Sequence, residues 1–322
     1  MTNEQTILIA GATGNIGGGA AVALAKRGAR VVLLGRKLEK LEARAESIRR
    51  ALSEAQIECK DKNITTLPID FSDMEAVRFA AAQAMNRFSS IDGLILSAVA
   101  LVQNGPNILP SGHELMFATN VLGPFLFTQL LVERMGQSDG MVLHVINMSK
   151  REIDWDDLES IKNHKTTLAY ERTKVFNRLI AGELARRYAG KISSVAFNPT
   201  FIIDKSDPEL EKRWPSGFLG LFWKTLTVLF AKPPLVAGEP IAELMLSNRD
   251  RSAINGAMFK LDQRVEKPDE AMNDEVAGRR LWDELVVLTG LESAAEKRPA
   301  NNSLVRTGDS QAEARDGRIT NN

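Results

Sequence analysis

The stretch ILIAGATGNIGGGAAVALAKRG, residues 7–28, decides the architecture. ILIA (7–10) is a short, unbroken apolar run, the pattern of a strand covered on both faces. It leads straight into GATGNIGGG and then into AAVALAKRG, an alanine-rich helical pattern. Gly11, Gly14 and Gly17 form G-x-x-G-x-x-G. Glycines at these places permit a tight turn and let backbone amides approach a pyrophosphate at the helix N-terminus. Strand, glycines and helix in that order predict a dinucleotide-binding unit, against the plainer reading of a merely tight turn.

Further strands are expected at 30–34, 64–69, 91–97, 141–147 and 192–197, all continuous apolar runs. Helical patterns lie near 16–27, 37–57, 73–89, 112–135 and 167–189. Alternating β and α predict an α/β fold: a doubly wound, Rossmann-like parallel sheet with helices on both faces, in a single domain over 1–291. Beyond Pro199 the pattern changes to a bulky apolar segment at 216–231, a helix, a short strand at 256–261 and a last helix near 268–290. The 216–231 segment reads as a core helix or as a lid over an apolar substrate. Residues 292–322 are polar and read as a disordered tail.

Bulk properties exclude several classes. Lys+Arg and Asp+Glu both total 41, so no excess of positive charge marks a nucleic-acid or anionic-membrane partner. The single cysteine, Cys59, forbids an intrachain disulfide and fits a reducing, cytoplasmic setting. His113, His144 and His164 lack ligand spacing, so no metal is expected. The 16-residue apolar segment at 216–231 is too short to span a bilayer, and no transmembrane segment is expected.

Two features carry chemistry. The second strand ends RVVLLGRK, with Arg36 where an NAD-preferring fold places an acid. A guanidinium there pairs with a 2′-phosphate, so NADP(H) is the expected cofactor and NAD(H) the alternative. AYERTK (169–174) sets Tyr170 four residues before Lys174, on one helix face. A nearby ammonium favours phenolate, which predicts a phenol lowered from about 10 towards the range of a general acid. Asp70, after the third strand, either caps the next helix or lies by the adenine.

The glycine loop, ELMFATNVLGPFLFTQLL (114–131), VINMS (145–149) and AYERTK arrive in an order that resembles the short-chain dehydrogenase/reductase family, over residues 6–290. SGHELMFATNVLGPFLFTQLL, IDWDDL, AGELARRY and LWDELVVLTGL are most similar to the branch of retinol dehydrogenases and carbonyl reductases. The resemblance implies an oxidoreductase that passes hydride between NADP(H) and a carbonyl or alcohol of a small, lipophilic substrate. It implies that Tyr170 is the acid or base, that Lys174 assists it and holds the cofactor, and that Asn120 anchors a proton-relay water. Ser149 would orient the carbonyl. The cofactor would lie along Gly11, Thr13, Gly14, Asn15, Ile16 and Gly17, with Arg36, Asp70, Phe71, Ser97, Ala98, Lys174 and Pro199. A homodimer or homotetramer through the helices of Asn120 and Tyr170 is implied as well.

The chain departs from the family pattern at three places. A serine pair after the fifth strand reads Ser149-Lys150, leaving either Ser149 or Lys150 beside the carbonyl. Asn-Asn-Ala-Gly after the fourth strand is Leu96-Ser97-Ala98-Val99, and Pro-Gly after the sixth is Pro199-Thr200. These departures support an alternative, a non-catalytic NADP(H)-binding protein with a degenerate site. A nucleotide-sugar epimerase or dehydratase, which would suit GATGNIG, is disfavoured by the run at 112–131.

Overall fold

Strand β1 (Thr6–Ala10) lies at the centre of the sheet, parallel to β2 (Arg30–Gly35) on one side and β4 (Gly93–Leu96) on the other. The computed structural model describes residues 4–59, 61–102, 105–205, 224–225, 227, 229, 231–247, 250–261, 263–265 and 269–291. Eleven of the sixteen residues of the apolar segment at 216–231 therefore lie outside the described residues, and the tail at 292–322 lies entirely outside them. With β3 (Ile64–Pro68), β5 (Met141–Val145), β6 (Ser193–Asn198), β7 (Met258–Lys260) and β8 (Gln263–Arg264), the strand order is β3-β2-β1-β4-β5-β6-β7-β8. Seven strands are parallel, and β8 returns antiparallel to β7, a hairpin the sequence reading did not contain. The chain reverses its direction of travel across the sheet between β1 and β4, and a ligand crevice opens at such a switch point beyond the strand C-termini.

Side chains alternate between two cores because successive strand residues face opposite sides. Leu8 and Ala10 pack under α3 (Met74–Arg87), α4 (Leu115–Gly136), α5 (Thr166–Arg187) and α9 (Glu275–Leu288). Ile7 and Ile9 pack under α1 (Asn15–Lys26), α2 (Leu38–Glu54) and α6 (Leu235–Leu246). In α2 the buried residues Leu41, Ala45, Ile48 and Leu52 recur every three or four positions, the stripe that makes an otherwise polar sequence helical. Helix α7 (Arg251–Ile254) precedes β7. The expected last helix near 268–290 is two pieces, α8 (Glu270–Asn273) and α9. Asp269 accepts from Met272 N–H, and Asp274 accepts from Ala277 N–H, so each helix starts on its own carboxylate cap.

Helix α4 is long and apolar enough to cross a bilayer by length and composition, yet 83% of its apolar window is buried inside the fold. Its second turn, Ala118–Leu122, is a π-turn centred on Asn120. Such bulges break the regular ladder and collect at functional positions.

Candidate active site

The glycine loop fits a dinucleotide on steric grounds. Gly11 has φ +77°, and a Cβ there would stand 2.7 Å from Ala98 N. A Cβ on Gly17 would stand 2.5 Å from Gly11 O and 2.6 Å from Ser97 Oγ. Both contacts are too short, so only bare backbone closes this turn against β4. Ser97 Oγ donates to Ala10 O at 2.6 Å and locks the two strand ends together. Helix α1 has Gly14 as its N-cap, without a side-chain cap, and carries no acid in its first turn. The first amides of a helix lack intrahelical partners, and here they stay available to an anion. Thr13 and Gly14 are exposed, while Asn15 reaches towards Ile202 O at 3.5 Å.

Arg36 is exposed at the end of β2. Asp70 is not the cap of α3. Its carboxylate accepts from Ser72 N–H at 2.9 Å and Ser72 Oγ at 2.7 Å, and Asp73 caps the helix through Glu75 and Ala76. A two-residue spacing closes a local turn at Asp70, leaving the capping position to the next carboxylate. The side chain of Phe71 is buried in the core, edge-on to Phe127 with ring centroids 5.7 Å apart. Pro199 is buried, and Thr200 holds φ +63°, with its N–H donating to Asn198 Oδ1 at 3.0 Å. Threonine stands there in place of the family's glycine, in a left-handed backbone conformation.

Helix α5 presents Tyr170 and Lys174 together. Lys174 Nζ lies 5.8 Å from the Tyr170 ring centre and donates to Val145 O at 3.1 Å. Burial brings the lysine down to about 8. The tyrosine moves opposite to expectation. Burial, followed by the charge of Glu171, holds its phenol above the ordinary value. Desolvation of the phenolate therefore outweighs the ammonium four residues on. Asn120 joins this group through its side chain. Its Oδ1 accepts from Ala100 N–H at 2.7 Å, and its Nδ2 donates to Ala100 O at 3.0 Å and to Thr173 Oγ1 at 3.4 Å. Thr173 Oγ1 donates in turn to Tyr170 O at 2.7 Å. Asn120 thus ties the loop after β4 to the turn of α5 that carries the tyrosine.

After β5 the chain turns at Asn147, whose Oδ1 accepts the Ser149 N–H at 3.1 Å. Arg178 donates to Ser149 O and pairs with Asp269 at 2.7 Å, with both side chains about 5% exposed or less. Lys150 is engaged at the protein surface. It is 76% exposed and pairs with Glu270 at 3.6 Å. Arg178 and Lys150 line a cavity of about 720 Å³ whose apolar walls include Met148, Ile153, Trp155 and Leu179.

His144 is a component the sequence reading passed over. It is buried on β5, and Nε2 has no hydrogen-bond partner among the described residues. Burial, with the charge of Lys174 second, depresses its imidazole to about 3. Its ring borders a void of about 10 Å³ shared with Asn120 and Asn177, the size of a single water. Neither Thr173 nor Arg178 was identified in advance. Thr173 is adjacent to Lys174, while Arg178 stands one further i+4 step along α5 from it. The partner Asp269 lies 91 residues away and leaves no local signal.

A family model described as short chain dehydrogenase matches residues 5–202. Retinol dehydrogenase 13 of Homo sapiens is 30% identical over 302 residues, covering 90% of this chain and 86% of that protein. Among solved structures, an uncharacterized protein from Mycobacterium paratuberculosis superposes with a TM-score of 0.65 at 22% identity, covering 89% of this chain and 93% of that one. A short chain dehydrogenase from Shigella flexneri 2a str. 301 complexed with NADP gives 0.58 at 21% identity, covering 81% and 98%. At these identities the structural matches establish the fold.

Proposed function

The chain belongs to the short-chain dehydrogenase family and is an oxidoreductase of alcohol and carbonyl groups; from that premise we propose that it uses NADP(H) on a small lipophilic substrate, with Tyr170 exchanging the proton. The observation that carries the reading is the placement of Tyr170 and Lys174 on one face of α5, with the lysine anchored to the end of β5. Arg36 at the tip of β2 supports NADP(H), as does the NADP complex of the Shigella flexneri relative. The naming of relatives as retinol dehydrogenases supports a lipophilic substrate.

Gly11, Gly17 and the first turn of α1 would hold the pyrophosphate, and Arg36 the 2′-phosphate. When bound, the nicotinamide supplies or accepts the hydride. Tyr170 keeps its proton at neutral pH, because burial and Glu171 raise its phenol. A protonated phenol is a donor, so the resting site is set to protonate a carbonyl oxygen during reduction. Alcohol oxidation needs the phenolate and gains from rising pH. Ser149, its backbone fixed by Asn147 and Arg178, orients the carbonyl oxygen. Asn120 and Thr173 hold Tyr170 in register with that position. An assembly through α4 and α5 and a cytoplasmic setting belong to the same proposal.

The non-catalytic alternative draws on the missing serine at Ser149-Lys150 and on the altered stretch Leu96-Ser97-Ala98-Val99. Val99 is 49% exposed, and Lys150 pairs with Glu270 at 3.6 Å in the wall of the cavity. Following NADPH oxidation against a panel of lipophilic aldehydes and ketones tests the function. Substrate-dependent turnover is expected. Cofactor binding without turnover in either direction would contradict it.

A further inference from the structure

The extra glycine of GGG and an arginine of α2 meet at the cofactor edge. Arg44 stands nearly two turns into α2, and helical side chains lean back towards the helix N-terminus. That lean carries its guanidinium to the glycine loop, where Nη2 donates to Thr13 O at 3.3 Å. A Cβ on Gly18 would lie 3.1 Å from Arg44 Cζ and 3.3 Å from Nη2. Gly18 is dispensable to the G-x-x-G-x-x-G spacing, and its missing side chain is what lets the guanidinium rest on the first turn of α1. One hydrogen bond to a carbonyl uses one of five N–H donors. Among the described residues Arg44 forms no ion pair, although nearby Glu46 pairs with Arg49 and Glu42 accepts from Thr66. Arg36 likewise directly follows β2, exposed and without an ion pair among the described residues.

Two guanidiniums without an ion pair among the described residues thus follow the β1–α1 loop in sequence. Arg36 directly follows β2, and Arg44 lies against Thr13 of the loop. We propose that Arg44 is a second specificity residue, which takes the 2′-phosphate of NADP(H) together with Arg36. The inference rests on the NADP(H) reading above. A second charge-assisted contact to a phosphate dianion is worth about tenfold to a hundredfold in affinity.

Binding of NADPH, NADH, 2′,5′-ADP and 5′-AMP to the wild-type chain, Arg44→Gln, Arg44→Lys and Arg36→Ala, measured by titration calorimetry, tests it without turnover. Glutamine keeps a donor for Thr13 O but removes the charge. Arg44→Gln is expected to weaken NADPH and 2′,5′-ADP about tenfold to a hundredfold while NADH and 5′-AMP change less than about twofold, with Arg44→Lys between. Equal losses for all four ligands would make Arg44 a support of the loop and overturn the proposal. Unchanged NADPH affinity in Arg44→Gln, beside a loss in Arg36→Ala, would overturn it and leave the NADP(H) reading standing. A wild-type chain that binds NADH as tightly as NADPH would refute the NADP(H) reading itself, and Arg44's role with it.

Discussion

Lowering the pH should destabilise this fold through one buried imidazole. His144 is 3% exposed on β5, and burial depresses it to about 3 from its unfolded value near 6.5. The depressed basic group sets the sign. Between those two values the unfolded chain binds the proton and the folded chain does not, so stability falls as pH drops through 6.5 towards 3. Integrating the linkage for these values gives a loss of about 2 kcal/mol at pH 5 relative to pH 7.5. That is a large fraction of the roughly 5–15 kcal/mol typical of a domain. The buried Glu114 carboxyl acts in the opposite sense, because burial raises it and the folded state then gains protons first. Glu114 is unchanged in a His144 variant, so its contribution cancels in the comparison. Urea unfolding of wild type, His144→Gln and His144→Leu at pH 7.5 and 5.0 reads the effect. The wild type should lose about 2 kcal/mol more than either variant between the two pH values. Equal losses in all three proteins would refute the reasoning and place His144 in a protonated, solvated or paired state.

Thr200→Gly should stabilise the fold by about 0.5–1 kcal/mol in urea unfolding, since a β-branched residue at positive φ is strained and glycine there is not; a neutral or destabilising result would show that the turn carries no strain. Removing Arg178 leaves Asp269 charged and buried, so Arg178→Met should cost about 3–5 kcal/mol, and Asp269→Asn added to it should recover part of that loss. A cost under about 1 kcal/mol for the single variant would mean that the pair is hydrated.

Much of the fold is written locally. β1, β2, β3 and β5 begin within a residue or so of where apolar runs begin, because a strand covered on both faces needs an unbroken apolar sequence. The cofactor turn was equally legible, since Gly11 and Gly17 are forced by contacts with Ala98 and Ser97 that the family spacing encodes. Features set by distant partners were not. Lys150 stands where the family has serine, and its ion-pair partner Glu270 lies 120 positions away in sequence. Phe71 is named among the cofactor residues by the family resemblance alone, and its packing against Phe127 across 56 positions has no local signal. Helix capping was split between Asp70 and Asp73 by hydrogen-bond geometry that either residue type satisfies. Tyr170's shift was misjudged because spacing along a helix reports the neighbouring charge and not the loss of water.

The central claim is that Tyr170 moves the proton. NADPH oxidation with a lipophilic aldehyde, wild type beside Tyr170→Phe, tests it most directly, with NADPH affinity measured on both proteins. Phenylalanine keeps the ring and its packing and removes only the hydroxyl. Turnover should fall by about 10²–10⁴ with cofactor affinity nearly unchanged. Near-native turnover in Tyr170→Phe would contradict the account and assign the proton to another group.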